Sequence, residues 1–425
     1  MSDGNPGGPA SDSSRRALVA TVLVAALGYF VDVYDLQLFS IVRVASLRAL
    51  GVPESRLLAD GILLINLQMA GMLLGGFGWG ALGDRRGRVS VLFGSITVYT
   101  IANLANACVH SIAAYGAWRF VAGLGLAGEL GAGVTLVAEI LPPETRTWGT
   151  TAVAVVGLLG AVAAAVVGEL LPWNHAYLLG GVLGVALLAA RLRLFESGMY
   201  QGARASEVRR GDLGLLFGSP ARLARYLRCV ALGVPIWFVL GVLVTFAPEV
   251  GRALGVTAAV LAPRAVLATY VGIVAGNLAS GALGQRLRSR RRVLAVFLAA
   301  TALAIALVPA VRGTTPGVIY LCLAVQGVAI GYWGVFVTVA SEQFGTNLRA
   351  TVTTSAANVV RGCVVPLTLS FQALRSPLGI VHGAMLVGAG TVALAFAGLW
   401  GLPESYGRPL DYLEFDGPGG APPGA

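Results

Sequence analysis

Twelve long apolar runs constrain the fold of this sequence more than any other feature. They lie near residues 17–42, 58–82, 89–109, 112–138, 150–171, 174–193, 226–249, 264–284, 293–311, 316–340, 350–373 and 380–402. A helix needs about 20 apolar residues to cross a bilayer, and these runs lack the alternation of barrel strands. Only 12% of the residues are charged, about half the usual share. These features exclude a water-soluble enzyme and predict an all-α membrane protein with 12 transmembrane helices.

The positions of the arginines indicate how these helices are oriented. The net charge is +10, and most of the arginines fall on one side of the membrane if both termini lie there. They are Arg15, Arg16, Arg85, Arg86, Arg88, Arg146, those from Arg191 to Arg228 and from Arg286 to Arg292, Arg349 and Arg408. Since basic loops stay in the cytoplasm, we expect cytoplasmic termini in a plasma membrane, the inner membrane of a bacterium. The basic charge then indicates contact with lipid and not with nucleic acid.

The two halves of the chain repeat one another. The segment Gly80-Ala-Leu-Gly83 recurs 201 positions later as Gly281-Ala-Leu-Gly284. The Glu139 and Arg146 pair recurs 203 positions later as Glu342 and Arg349. We therefore predict a tail (1–16), a six-helix bundle (17–196), an Arg-rich linker (197–225), a second six-helix bundle (226–403) and a tail (404–425). Parallel repeats of this kind place a substrate site between the halves, near the middle of the membrane.

These motifs resemble the major facilitator superfamily over almost the whole chain. The segment Gly80-Ala-Leu-Gly-Asp84-Arg85-Arg86-Gly87-Arg88 is similar to its signature loop between spans two and three. The segment Arg119-Phe-Val-Ala-Gly-Leu-Gly125 resembles its motif in span four. The repeated Glu and Arg pairs and the end 402–408 resemble the branch of sugar porters, phosphate symporters and synaptic-vesicle-protein-like carriers. The resemblance implies transport by alternating access, without a cofactor or a metal.

The resemblance also implies a set of gating residues at the cytoplasmic side. They are Asp84, Arg85, Arg88, Glu139, Arg146, Glu342 and Arg349. Asp84 would face the N-terminus of span eleven, where the helix dipole favours a negative charge. This contact could exist only while the cytoplasmic side is closed. The alternative is that the arginines anchor the loops to lipid headgroups.

Five ionisable residues lie deep inside predicted spans: Asp32, Asp35, Arg119, Glu129 and Arg361. Such residues are costly in lipid and are functional candidates by default. Asp32 and Asp35 are three residues apart and share one helix face. Each carboxylate therefore raises the proton affinity of the other. Arg119 and Glu129 lie about 15 Å apart along one helix and cannot pair directly. Arg119 is therefore free to neutralise an aspartate or to bind an anion, while a structural ion-pair network is the alternative.

These residues predict a proton-coupled symporter for a small organic solute. Arg361 could clamp a carboxylate or phosphate, or pair with an acid of the other half, so a metabolite acid is favoured. Residues that could line the pathway are Asn66, Gln68, Trp237, Asn277, Gln326, Tyr332, Trp333 and Asn358. A proton-independent facilitator, a sugar or phosphate carrier and a sensor that transports nothing remain as alternatives. We expect a monomer whose partners are solute, protons and lipid.

Overall fold

The structure is a computed structural model, which describes residues 12–86, 88–129, 143–196, 213–407 and 414. The described residues are mostly helical, and no β-strand occurs among them. The first helices are α1 (Asp12–Ala49), α2 (Leu57–Arg86), α3 (Arg88–Asn106), α4 (Ile112–Leu126), α5 (Pro143–Leu170) and α6 (Trp173–Glu196). They are followed by α7 (Leu213–Phe217), α8 (Pro220–Phe238), α9 (Ala247–Ala253), α10 (Ala262–Leu287), α11 (Arg290–Ala306), α12 (Pro316–Ala329), α13 (Trp333–Glu342), α14 (Thr346–Gly362) and α15 (Val364–Trp400).

The surface of these helices is that of a membrane protein. Within the described ranges, nine segments are long and apolar enough to cross a bilayer. Large apolar side chains are exposed along them, among them Leu321 (64%), Leu303 (62%) and Val271 (56%). A water-soluble monomer rarely exposes so many large apolar side chains. The expectation of an all-α membrane protein is therefore confirmed.

Two helices depart from regular α geometry. Helix α8 continues as a π-helix over Val239–Val244, a form that is frequent at functional sites. Helix α15 contains a break at Gly379, whose φ of 76° favours glycine. This break separates the last two apolar runs of the sequence.

Close helix contacts repeat between the two parts of the chain. A side chain at Gly71 would collide with the carbonyl of Phe120, where α2 crosses α4. A side chain at Gly272 would collide with the carbonyl of Ala324, where α10 crosses α12. The two glycines are 201 residues apart, the same offset as in the sequence repeat. Glycine is needed at both positions because the backbones approach so closely.

The helices pack as two groups that meet along one interface. Helices α1–α6, here the N-terminal bundle, pack mainly against one another, as do helices α8–α15, here the C-terminal bundle. Contacts between the bundles run from α2 to α14 and α15, from α5 to α10 and from α1 to α10. We call the end that holds residues 50–56 the α1–α2 end and the end that holds residues 86–88 the α2–α3 end.

Candidate functional site

A small cavity lies at the interface between the two bundles. Its volume is about 40 Å³, room for one or two water molecules. Aromatic side chains form much of its wall, namely Tyr29 of α1, Trp237 of α8, Tyr270 of α10 and Trp333 of α13. Arg361 of α14 supplies a charged group. We call this space the central cavity.

The structure places the eight predicted lining residues in different surroundings. Trp237 and Trp333 line the central cavity, and their rings lie 6.5 Å apart. Tyr332 donates to the carbonyl of Leu232, and Asn277 accepts from the backbone N–H of Gly334. These two side chains therefore tie helices of the C-terminal bundle together.

Among the remaining lining candidates, two connect the bundles. Asn66 accepts a hydrogen bond of 2.6 Å from Thr368, and Asn358 donates to the carbonyl of Ala127 at 3.0 Å. Gln326 borders a separate small pocket within the C-terminal bundle. Gln68 is fully buried in the N-terminal bundle.

The charged residue of the central cavity faces an acid of the other bundle. The Nη2 atom of Arg361 lies 4.0 Å from Oδ2 of Asp32, and both side chains are buried. The guanidinium also lies over the Trp237 ring, 5.7 Å from its centre, and contacts Asn358 at 3.5 Å. Across the described chain, neither Asp32 oxygen nor Nε of Arg361 has a hydrogen bond. Arg361 is therefore held loosely and has donors to spare for an anion.

Asp35 is a second buried acid of the N-terminal bundle. Its carboxylate is buried and lies in the electrostatic field of Asp32 and Arg119, next to the amide of Asn103. Within the described ranges, no hydrogen bond of normal geometry reaches its oxygens. Arg119 instead donates to the hydroxyl of Tyr177 at 3.0 Å.

Glu129 lies apart from these residues. It accepts two hydrogen bonds from Arg191 of α6 and a weaker one from Ser95. Arg191 also donates to the carbonyl of Leu92 at 2.9 Å. The sequence left open whether Glu129 has a functional role or belongs to a structural ion-pair network. These contacts favour the structural ion pair. Arg191 lies near the end of the sixth apolar run and was expected at the cytoplasmic surface with the other arginines.

An ion pair that the sequence did not indicate joins the bundles at the α1–α2 end. The Nη2 atom of Arg43 lies 2.7 Å from both carboxylate oxygens of Glu249. Arg43 is fully buried and also donates to the carbonyls of Leu57 and Thr245. Beside it, Ser40 and Thr245 share a hydrogen bond of 2.9 Å. Arg43 directly follows the first apolar run, so the sequence did not reveal its burial.

Some of the predicted gating residues can be located at the α2–α3 end. Glu342 forms an ion pair of 3.0 Å with Arg290 of α11, while Nε of Arg349 donates to the carbonyl of Ser341. Glu139 lies outside the described residues, as do the side chains of Asp84, Arg85, Arg88 and Arg146. The gating roles therefore remain predictions.

The C-terminal segment contributes an anion to the same end. Burial of the Glu404 carboxylate opposes its ionisation. The carboxylate also accepts hydrogen bonds from the Ser289 hydroxyl and from the backbone N–H groups of Arg290 and Arg291. A further hydrogen bond comes from the N–H of Tyr406. Together these hydrogen bonds lower the pKa of Glu404. The carboxylate thus caps the N-terminus of α11, where the helix dipole favours a negative charge.

Two helical bundles with an aromatic and cationic cavity between them define a multi-pass membrane carrier. The family model of the Major Facilitator Superfamily matches residues 25–367. The chain therefore belongs to the Major Facilitator Superfamily, and it is an inner-membrane transporter rather than an enzyme.

Named relatives and a solved structure agree with this assignment. The chain is 26% identical to a gentisate transporter of Corynebacterium glutamicum, over 93% of this chain and 90% of the relative. It is 28% identical to a cis,cis-muconate transport protein of Acinetobacter baylyi, over 86% and 90% of the two chains. The fold is similar to the crystal structure of a D-xylose-proton symporter, with a TM-score of 0.70 at 17% identity, over 92% of this chain and 99% of that chain. These relatives support the prediction of a small-molecule transporter.

Proposed function

We propose that this protein is a proton-coupled symporter of organic acids, with aromatic acids as the first class to test. The observation that carries the proposal is the position of Arg361, which faces aromatic side chains on one side and Asp32 on the other. A guanidinium binds a carboxylate through two parallel hydrogen bonds. The rings of Tyr29, Trp237 and Tyr270 offer faces and edges against which an aromatic ring stacks. Gentisate and cis,cis-muconate, in the names of two relatives, are carboxylic acids.

The charges around the cavity explain why a proton accompanies the acid. Two buried acids, Asp32 and Asp35, are matched by two buried arginines, Arg119 and Arg361. A substrate carboxylate adds one negative charge that the buried site does not balance. Burying an uncompensated charge is costly, so a proton on an aspartate restores neutrality. We propose Asp35 as this proton carrier, because Asp32 already faces Arg361 in the other bundle.

Alternating access supplies the transport step. We propose twelve spans in two six-helix bundles, over residues 17–196 and 226–403, with cytoplasmic termini and lipid around a single chain. The α1–α2 end then faces outward. Contacts join the bundles at this end through Arg43 and Glu249 and, deeper in, through Asn358 and Ala127. The central cavity is well below the roughly 150 Å³ of a cavity that holds benzene. The described conformation is therefore closed at the α1–α2 end, and substrate entry from this end requires the bundles to separate.

Uptake into proteoliposomes tests the proposal. Purified protein is reconstituted, and the accumulation of radiolabelled gentisate, cis,cis-muconate and xylose is measured with and without an imposed pH gradient. We expect external acidification to drive accumulation of an acid and not of the sugar. Uptake of an acid that only equilibrates and is unchanged by the pH gradient would indicate a facilitator, while binding without uptake would indicate a sensor.

The variant Asp35→Asn separates coupling from binding. Asparagine keeps the size of the side chain but cannot exchange a proton at physiological pH. We expect this variant to lose accumulation and to retain exchange of labelled for unlabelled acid. The matched control is Asn103→Ala, which removes an uncharged neighbour of Asp35 and should leave the pH gradient effective. Loss of exchange in Asp35→Asn would show that this aspartate supports binding and not coupling.

A further inference from the structure

A chain of buried hydroxyl groups connects the α1–α2 end with the charged centre of the N-terminal bundle. Tyr115 of α4 donates to the hydroxyl of Ser46 in α1 at 3.2 Å. The hydroxyls of Tyr115 and Tyr177 share a hydrogen bond of 2.8 Å. Arg119 donates to Tyr177 at 3.0 Å. All four side chains are fully buried.

The inner end of this chain reaches the surroundings of Asp35. The Asp35 carboxylate lies against the backbone of α6 at Gly180, one turn after Tyr177, because a Cβ built on Gly180 would be 2.5 Å from Oδ1. The charge of this carboxylate acts on the Tyr177 hydroxyl, and the charge of Arg119 acts on the carboxylate. Tyr34 of α1 and Asn103 of α3 share the space beside Gly180 with it. The other titratable groups that influence it are Asp32 of α1, Tyr99 of α3, Arg119 of α4 and Tyr177 of α6.

The outer end of the chain lies beneath a large cavity. This outer cavity, of about 680 Å³, opens at the α1–α2 end and is lined in part by Ala45 and Trp173. Ala45 directly precedes Ser46 in the sequence. The Trp173 ring packs against the rings of Tyr115 and Tyr177, with centres 6.2 and 6.4 Å away. The wall of the outer cavity thus includes the neighbour of Ser46 in α1 and the ring that packs on Tyr115 and Tyr177.

We propose that Ser46, Tyr115 and Tyr177 form a proton pathway from the outer cavity to Asp35, separate from the route of the substrate. The proposal rests on the proton-carrying role of Asp35 proposed above. Both bundles line the outer cavity, but the three hydroxyls belong to the N-terminal bundle, so transfer from Ser46 to Asp35 does not need the Arg43–Glu249 contact to open. Asp35 is thus loaded from the outside before the bundles separate.

The proton balance of this pathway is simple. The hydroxyls of Ser46 and Tyr115, which donate to the Arg43 carbonyl and to Ser46, first rotate so that each donates inward. A hydronium ion in the outer cavity then gives a proton to Ser46 as the Ser46 hydroxyl proton passes to Tyr115. Tyr115 gives its own proton to Tyr177, and Tyr177 gives its proton through one water molecule to the Asp35 carboxylate. One proton leaves the outer cavity, one arrives on Asp35, and each hydroxyl keeps one. Rotation of the hydroxyl groups then restores their starting orientation.

Arg119 is a positioning residue in this scheme. It never loses its proton, so it takes no part in the transfer itself. Its hydrogen bond holds the Tyr177 hydroxyl, while its charge lies close to Asp35. Its Nε and Nη2 atoms have no hydrogen bond among the described groups. These donors are available to orient the bridging water molecule.

The rate at which Asp35 takes up a proton tests the pathway without any substrate. The purified full-length protein is studied by time-resolved infrared spectroscopy after photolysis of a caged proton. The carboxyl band is assigned with Asp35→Asn and Asp32→Asn. We expect Tyr115→Phe and Tyr177→Phe to slow protonation at least about tenfold, within the range that a positioned proton donor contributes. The final amplitude of the band should not change.

Two further variants keep the test specific. Ser46→Ala removes the outermost hydroxyl without touching Arg119 and should also slow protonation. Tyr34→Phe is the matched control, because Tyr34 is buried beside Asp35 but donates to the carbonyl of Ala176, outside the chain. Its rate should equal that of the unmodified protein. Equal rates in all variants would overturn the pathway and leave coupling intact, whereas an Asp35 band that never appears would overturn both.

Discussion

Removal of the Glu249 carboxylate should release the outer contact between the bundles. In the closed conformation Glu249→Gln leaves Arg43 without an ionised partner, although the carbonyls of Leu57 and Thr245 and the ring of Phe246 remain. Breaking a buried ion pair costs about 3–5 kcal/mol, and the lower value applies here because the Glu249 side chain is 12% exposed. In an open conformation, water solvates Arg43 and most of this cost disappears. A shift of about 3 kcal/mol changes the ratio of open to closed molecules by roughly 150-fold.

The accessibility of Ser40 measures this shift. Ser40 is 5% exposed and hydrogen-bonds to Thr245 of the other bundle, so a cysteine there reacts with an external reagent only when the outer end opens. We expect Ser40→Cys, in a protein whose native cysteines are replaced, to react with a membrane-impermeant maleimide much faster when Glu249→Gln is added.

A second ion pair at the same end provides the matched control. Arg264 contacts Glu169 across the bundles, but both side chains are well exposed. Exposed ion pairs contribute little, so Glu169→Gln should change the labelling rate by less than about threefold. The reasoning is refuted if Glu249→Gln labels no faster than Glu169→Gln while both proteins remain folded.

Three further outcomes follow from the contacts described. Arg361→Gln should weaken gentisate binding by about 10- to 150-fold in calorimetry, the range for a lost hydrogen bond to a charged group, and unchanged affinity would exclude Arg361 from the site. Glu404→Gln should lower the unfolding free energy by about 1 kcal/mol, the usual effect of a lost helix cap. Because the pKa of Glu404 is lowered, this difference should be present at neutral pH and disappear as the pH falls through that lowered pKa; thermal unfolding at several pH values checks it. Gly123→Ala should lower the melting temperature because its Cβ would strike the carbonyl of Gln68, whereas Gly78→Ala meets open space and should not.

The sequence predicted the fold and the depth of the charged residues well. Asp32, Asp35, Arg119, Glu129 and Arg361 are all buried. Uninterrupted apolar runs place such residues away from water, whatever the packing of the helices.

The partners of these charges could not be predicted in the same way. Arg43 directly follows the first apolar run and Arg191 lies near the end of the sixth, where an arginine usually reaches the membrane surface. Only the packing of the helices shows that Arg43 is buried against Glu249 of α9 and that Arg191 of α6 is buried against Glu129. Tyr29 and Tyr270 line the central cavity, but an aromatic residue in an apolar run gives no sign of facing a cavity rather than lipid.

The ratio of protons to acid molecules taken up together tests the account most directly. Proteoliposomes that contain an internal pH indicator are exposed to labelled gentisate, or to whichever tested acid accumulates, and both influxes are recorded. The charge balance around Asp32, Asp35, Arg119 and Arg361 predicts one proton per monovalent acid anion, and no proton influx with Asp35→Asn. Uptake of the acid without internal acidification, or the same proton influx after Asp35→Asn, would contradict the account.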